Sequence, residues 1–173
     1  DKITKFIEEK GLKPVAVLLT HGHFDHCGGA KPIVEKYGVP VYGSEKDAAL
    51  AASASKNLWG VFCHDCKMTD YVDGIDSFSV GGFSFGVMKT PGHTPGGVCY
   101  FIDDIMFSGD TLFKECVGRI DLPGGDYREM MDSLSKIALI DKNYKIYAGH
   151  EEDTDLFHEF RFNPYLSAFK RNK

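Results

Sequence analysis

The sequence predicts a mixed α/β fold, and three observations carry that prediction. A βαβ unit is written into residues 14–42, two apolar hairpins follow in the middle of the chain, and two helical stretches flank a short strand near its end. Helices interleaved with strands in this order cover a sheet, which neither a helix bundle nor an all-strand sandwich requires.

Residues 1–10 place Ile3, Phe6 and Ile7 on one helical face, and Gly11 stops that helix. Residues 14–19 (PVAVLL) form a continuous apolar run of strand length, the pattern of a strand in a covered sheet. After the polar residues 20–26, residues 28–37 read as a helix with Ile33, Val34 and Tyr37 on one side. Gly38 closes it, and Val41 and Tyr42 form a short strand. The alanine-rich stretch 45–57 predicts another helix, whereas the aromatic, cysteine-containing residues 58–73 show no period. Gly81-Gly82 joins strands at 77–80 and 83–88, and Asp103-Asp104 joins strands at 98–102 and 105–107, both as two-residue hairpin turns. Residues 130–140 and 155–162 read as helices around a strand at 144–147, and Asn163-Pro164 breaks the last of them.

With 173 residues, 43% of them apolar, the chain can bury one sizeable core, so a single domain over residues 1–173 is expected. The net charge of -5, with no block of like charges, argues against a surface built to neutralise phosphates, so nucleic acid is not the expected partner. No apolar run approaches the roughly 20 residues of a membrane span, and no membrane association is expected. Five cysteines are an odd number in a chain too large to need disulfide staples, which favours reduced thiols and a cytoplasmic location.

The sharpest chemical signal is residues 20–26 (THGHFDH). In an extended loop alternate side chains share a face, which predicts that His21, His23 and Asp25 converge while His26 turns in from the start of a helix. Three imidazoles and a carboxylate suit a borderline divalent cation such as zinc, and Gly22 lets the backbone bend between them. The plain alternative is a surface cluster of histidines, and three further loops weigh against it. His93 lies in the Pro- and Gly-tightened turn at residues 90–96 (TPGHTPG), Asp110 in FSGDT and His150 in YAGH, each just past an apolar strand. Four strand ends would thus deliver ligand types to one rim, where an α/β fold opens its crevice.

Other candidates carry less. Cys63-His64-Asp65-Cys66 stands without a second cysteine or histidine pair, Cys27 reads as a small buried thiol, and His64 and His158 have no matching partners. Lys114 and Arg119 lie in the loop after Asp110, and Arg119 is the candidate contact for an anionic substrate. Tyr100, Phe101 and Phe107 fall inside the hairpin strands, where aromatics pack against sheet neighbours.

These residues resemble the metallo-β-lactamase superfamily, whose HxHxDH pattern followed by separate His, Asp and His is met by His21, His23, Asp25, His26, His93, Asp110 and His150. More narrowly, TPGHTPGG (90–97), FSGDTLF (107–113), GRIDLPGGD (118–126) and NPYL (163–166) are similar to small glyoxalase II-like hydrolases, over essentially the whole chain. The resemblance implies an αββα sandwich holding two divalent metal ions, zinc first, with iron or manganese as substitutes. It implies His21, His23 and His93 on one ion, Asp25, His26 and His150 on the other, and Asp110 bridging. The activity implied is hydrolysis, foremost of a small-molecule acyl thioester, with a hydroxide between the ions attacking the carbonyl and Asp25 orienting it as a catalytic residue.

Two departures qualify the resemblance. Family members begin with several strands before the helix that opens this chain, so the first strands of the sheet are expected to be absent. The open edge this leaves makes a swapped dimer one outcome of an otherwise open oligomeric state. Glyoxalase II also carries a helical domain after its final metal histidine, whereas 23 residues follow His150 here, so the thiol carrier is not carried over. The rival readings are a mononuclear iron oxidoreductase of the persulfide dioxygenase type, which shares Gly118, Arg119 and Asp121, and a lactone or phosphodiester hydrolase. A non-catalytic binding module ranks last, having no reason to keep seven ligand types.

Overall fold

The computed structural model describes residues 2–169. The chain opens with α1 (Lys2–Glu9), strand β1 (Val17–Leu18), two short helices α2 (Phe24–Cys27) and α3 (Ala30–Tyr37), and β2 (Val41–Gly43). A 3₁₀ turn (Glu45–Asp47), α4 (Ala48–Ala51) and a second 3₁₀ turn (Ala54–Lys56) lead into an irregular stretch that ends at β3 (Asp70–Tyr71). Then come β4 (Ser77–Val80), β5 (Phe83–Lys89), β6 (Val98–Ile102), β7 (Ile105–Gly109), β8 (Leu112–Phe113) and β9 (Cys116–Val117). The chain continues with α5 (Tyr127–Ile137), β10 (Lys145–Ala148), β11 (Thr154–Asp155), α6 (Leu156–Phe162) and α7 (Pro164–Ser167).

Two principal sheets result. The first is parallel, in the order β1-β2-β3, and the second is mixed, in the order β11-β10-β7-β6-β5-β4. Three apolar clusters show how they stack. Between the sheets, Val72, Val87, Val98 and Tyr100 pack with Leu18, Tyr42 and Phe78. Outside the first sheet, Leu19 and Val41 meet Cys27, Ala30 and Ala51 from α2, α3 and α4. Outside the second, Met106 and Ile146 meet Met130, Leu134 and Ile137 of α5 together with Leu156 and Leu166. The layers therefore run helix, sheet, sheet, helix, which is the αββα sandwich. Each fully buried side chain of this size contributes roughly 1.5–3 kcal/mol of transfer free energy.

Several sequence expectations need correction. The helix expected at 28–37 forms as α3, and a separate short helix not expected from the sequence, α2, precedes it, with Cys27 N–H bonded to His23 C=O at 3.0 Å. The helix expected at 45–57 is broken into turns, since Ser53 folds its hydroxyl back onto the carbonyls of Ala49 and Leu50. Residues 14–19 contribute only two paired residues, and among the described residues β1 has β2 as its sole neighbour. The helix expected at 130–140 starts earlier, because the Asp126 carboxylate accepts from the backbone N–H groups of Arg128 and Glu129. The Gly81-Gly82 hairpin forms as expected, with φ of 59° and 87° at the two glycines, the positive pair that a type I′ turn demands.

The NPYL stretch is a knot of polar contacts where the sequence predicts only a break. Fully buried Asn163 accepts from the N–H groups of Tyr165 and Leu166, capping α7. Its amide donates to the carbonyl of Cys116 at 3.0 Å and to Glu159 Oε2 at 2.8 Å. Glu159, also fully buried, accepts from Glu115 N–H at 2.8 Å and from the Thr154 hydroxyl at 2.6 Å. This pair clamps the β8–β9 hairpin onto α6 and α7. Asn163→Ala removes a helix cap, leaving the Tyr165 and Leu166 N–H groups without their acceptor, and deletes the amide that joins Cys116 to Glu159, so chemical denaturation should show a loss of about 2–3 kcal/mol. A change below half a kilocalorie would mean that the clamp is redundant.

Candidate metal centre

Each of the four expected strand ends reaches the same rim. His21 follows β1, His93 follows β5, Asp110 follows β7 directly, and His150 follows β10. The two sheets thus both contribute: residues 21–26 come from the first, and His93, Asp110 and His150 from the second.

The ligand atoms fall into overlapping groups, each within 4.8 Å of one another: His21, His23 and His93; His21, His26 and Asp110; Asp25, His26 and His150. His23 Nδ1 lies 2.9 Å from His93 Nε2, and His26 Nε2 lies 3.3 Å from His150 Nε2. Asp110 stands between the groups, with Oδ2 3.3 Å from His93 Nε2 and 3.6 Å from His150 Nε2, and Oδ1 3.3 Å from His26 Nε2. Asp25 Oδ2 lies 3.2 Å from His150 Nε2. All seven residues singled out as ligands are therefore brought together. The expected convergence of His21, His23 and Asp25 on one point is corrected, because Asp25 sits on α2 and faces His26 and His150 instead.

The donor set fits divalent cations. Burial, aided by the charges of the neighbouring histidines, holds His21 well below its usual pKa. Burial and His93 lower His23 against the opposing pull of Asp25 and Asp47, and burial lowers His26 despite Asp110 and Asp25. These rings are neutral at pH 7 and offer lone pairs. His21 Nε2 and Asp110 Oδ1 are buried and have no hydrogen-bond partner, a costly state for two polar atoms that a shared cation relieves. The His93 Nδ1–H donates to the Arg119 carbonyl at 2.6 Å, which leaves Nε2 as the free lone pair.

Close backbone approach makes room for this crowding. A Cβ at Gly149 would run into Asp110 Oδ1 and the His26 ring, and one at Gly118 into the Asp110 carbonyl, so both positions need glycine.

One residue the sequence reading missed organises the rim. Asp47 is fully buried, and Oδ2 accepts from Gly22 N–H at 2.9 Å and from the Thr94 hydroxyl at 2.7 Å. Oδ1 accepts from Gly96 N–H at 2.7 Å. It ties the loop holding His21 and His23 to the turn holding His93. Cys27 supports the same loop by donating its thiol to the Gly22 carbonyl at 3.4 Å, and burial pushes that thiol up to about 12, so it stays protonated.

A cavity of about 750 Å³ opens over the cluster, with His23, Asp25, His93, Asp110 and His150 in its floor and Lys114 and Arg119 in its wall. Both cations are engaged. Arg119 forms a bidentate pair with Asp121 at 2.7 and 2.8 Å, and Lys114 pairs with Glu152. The cysteine pair is packing: Cys66 is buried in the core beside α4, and Cys63 donates to the Ala54 carbonyl at 3.2 Å. His158 bonds Glu115 at 2.9 Å, away from the site. All five cysteines are free thiols, and among the described residues no helix is long and apolar enough to cross a membrane.

An αββα sandwich with two adjoining His/Asp clusters at the rim shared by its sheets defines the metal-dependent hydrolase class. Residues 1–150 match the family described as the metallo-beta-lactamase superfamily, and the chain belongs to it. It is similar to "Probable metallo-hydrolase YqgX" of Bacillus subtilis (strain 168), with 37% identity over 97% of this chain and 83% of that protein. It is also similar to "Hydroxyacylglutathione hydrolase GloC" of Haemophilus influenzae, with 34% identity over 97% and 83%. Among solved structures it resembles BLEG-1 B3 metallo-beta-lactamase (TM-score 0.89, 32% identity, 96% of this chain and 83% of that one). It likewise resembles TTHA1623 in a di-iron-bound form (TM-score 0.86, 35% identity, 95% and 84%).

Replacing Asp47 by alanine should weaken metal binding about 10–100-fold, measured by competition with a chromophoric chelator, while the far-UV circular dichroism is retained. Unaltered affinity would mean that the two ligand loops hold their geometry without it.

Proposed function

We propose that this metal-dependent hydrolase works with two metal ions and cleaves acyl thioesters. The observation that carries the reading is the position of Asp110, whose oxygens reach both the His93 side and the His26–His150 side of the cluster. His21, His23 and His93 would hold one ion, Asp25, His26 and His150 the other, and Asp110 would join them. Nitrogen-rich groups with carboxylate support favour zinc, with iron as the alternative that the di-iron neighbour supports. Divalent ions held by these residues would supply a water whose pKa falls from ~15.7 to about 7 and a Lewis acid for a substrate carbonyl.

The protein's own groups supply position and selectivity. Asp25, which lies in the floor of the cavity, would accept a hydrogen bond from the attacking water and fix its direction. His93 is kept in one tautomer by the Arg119 carbonyl. The wall supports a leaving group that needs no proton from it. Lys114 and Arg119 are both paired with carboxylates, so neither stands ready to protonate a departing amine. A thiolate, with an ordinary pKa near 8.5, departs without that help. The likeness to a hydroxyacylglutathione hydrolase supports the same substrate class. Arg119 would contact an anionic carrier only by exchanging Asp121 for it.

Asp110→Ala should lower metal content and hydrolysis together, and unchanged metal stoichiometry would remove Asp110 from the bridging role. Elemental analysis of the wild-type protein alongside hydrolysis of S-lactoylglutathione and simple acyl thioesters tests the reading as a whole. Two zinc-like ions per chain with turnover is the expected result. One iron per chain with oxygen uptake on a persulfide would replace it by a dioxygenase.

A further inference from the structure

A second cavity, of about 220 Å³, lies beside the metal centre. His23, Phe24, Trp59 and Leu122 line both it and the larger cavity, so the two adjoin at the edge of the cluster. Past these shared residues the apolar wall includes Leu50, Ala54, Leu58 and Pro123, and the Phe24 and Trp59 rings meet at a tilt with centroids 5.4 Å apart. Of its other lining residues Lys56 alone is charged. Asn57 has its amide engaged within its own loop, donating to the Val61 carbonyl at 2.7 Å and accepting from the Trp59 and Val61 N–H groups at 3.2 and 3.0 Å. The Ser53 hydroxyl is turned onto the Ala49 and Leu50 carbonyls, so apart from His23 and Lys56 the pocket presents mainly carbon to a ligand. Its rim is also wet: Trp59 is 53% and Leu58 73% exposed, apolar surface that gains from being covered.

We propose that this pocket receives the acyl group of the substrate, and that the group is apolar and on the order of a phenyl ring or short alkyl chain. The proposal rests on the thioester reading above and adds which acyl groups are selected. Size and polarity assign the two arms. A cavity of about 150 Å³ suffices for benzene, so the smaller space fits an acyl group and not a thiol carrier. The larger cavity, with Lys114, Arg119 and Glu151 in its lining, suits the bulkier, polar carrier. A carbonyl placed over the cluster can then send one arm past His23 between Phe24 and Leu122 and the other toward Arg119.

The metal-loaded protein would be assayed on thioesters of one thiol, N-acetylcysteamine, carrying acetyl, butyryl, hexanoyl and phenylacetyl groups. Within the size the pocket admits, kcat/KM should rise roughly fourfold per added methylene. Leu50→Trp, which fills the pocket, should flatten that series to within twofold. Trp59 is the only tryptophan of the chain, so its fluorescence reports occupancy independently of turnover. Titration with hexanamide or phenylacetamide should give a saturable change that acetamide does not. Length-selective fluorescence without cleavage of any thioester would uphold the acyl pocket and sink the thioester reading. Turnover with no dependence on acyl length and no fluorescence response would overturn the pocket and leave that reading standing. Selectivity that follows the length of the thiol instead would overturn the assignment of the arms.

Discussion

Asp47 is a carboxylate with no exposed surface, and the shape of the metal rim depends on how its two oxygens are satisfied. Burying such a group is tolerable only when donors surround it, and here they come from both sheets: Gly22 from the loop after β1, Thr94 and Gly96 from the turn after β5. Those donors cannot be supplied unless the two ligand loops sit side by side. The carboxylate thereby ties together the two loops that carry His23 and His93.

The ligand residues themselves work against that arrangement. Imidazole nitrogens and carboxylate oxygens face one another at 3 Å or so, and two of their buried atoms, His21 Nε2 and Asp110 Oδ1, have no hydrogen-bond partner. The surrounding backbone positions this cluster. The glycines at 118 and 149 let backbone pass within contact distance of Asp110, and the Asn163–Glu159 pair fixes the β8–β9 hairpin just before Gly118.

Much of this was legible in the sequence because it is local. A histidine-rich loop after an apolar run, a Pro- and Gly-bounded histidine, and two hairpin turns each declare themselves within ten residues. Asp47 could not be read that way. It precedes an alanine-rich stretch and looks like the start of a helix, while its partners lie 25, 47 and 49 residues away. Residues 23–27 mislead for a related reason: the extended alternation that would group Asp25 with His21 gives way to a helical turn at Phe24. Asn163-Pro164 shows the converse, since the same dipeptide that ends α6 also caps α7, and nothing local tells a stop from a restart.

The division of the cluster between the two sheets has a mechanical consequence. The apolar layer between the sheets has a fully enclosed core of few side chains, with Val72, Val98 and Tyr100 at its heart. Ions gripped from both sides at the rim would act as rivets through that seam, joining halves that each carry their own helical cover. Opening of the sandwich would then require release of the ions, so the two halves would come apart as one cooperative unit whose strength is set by the free metal concentration around it.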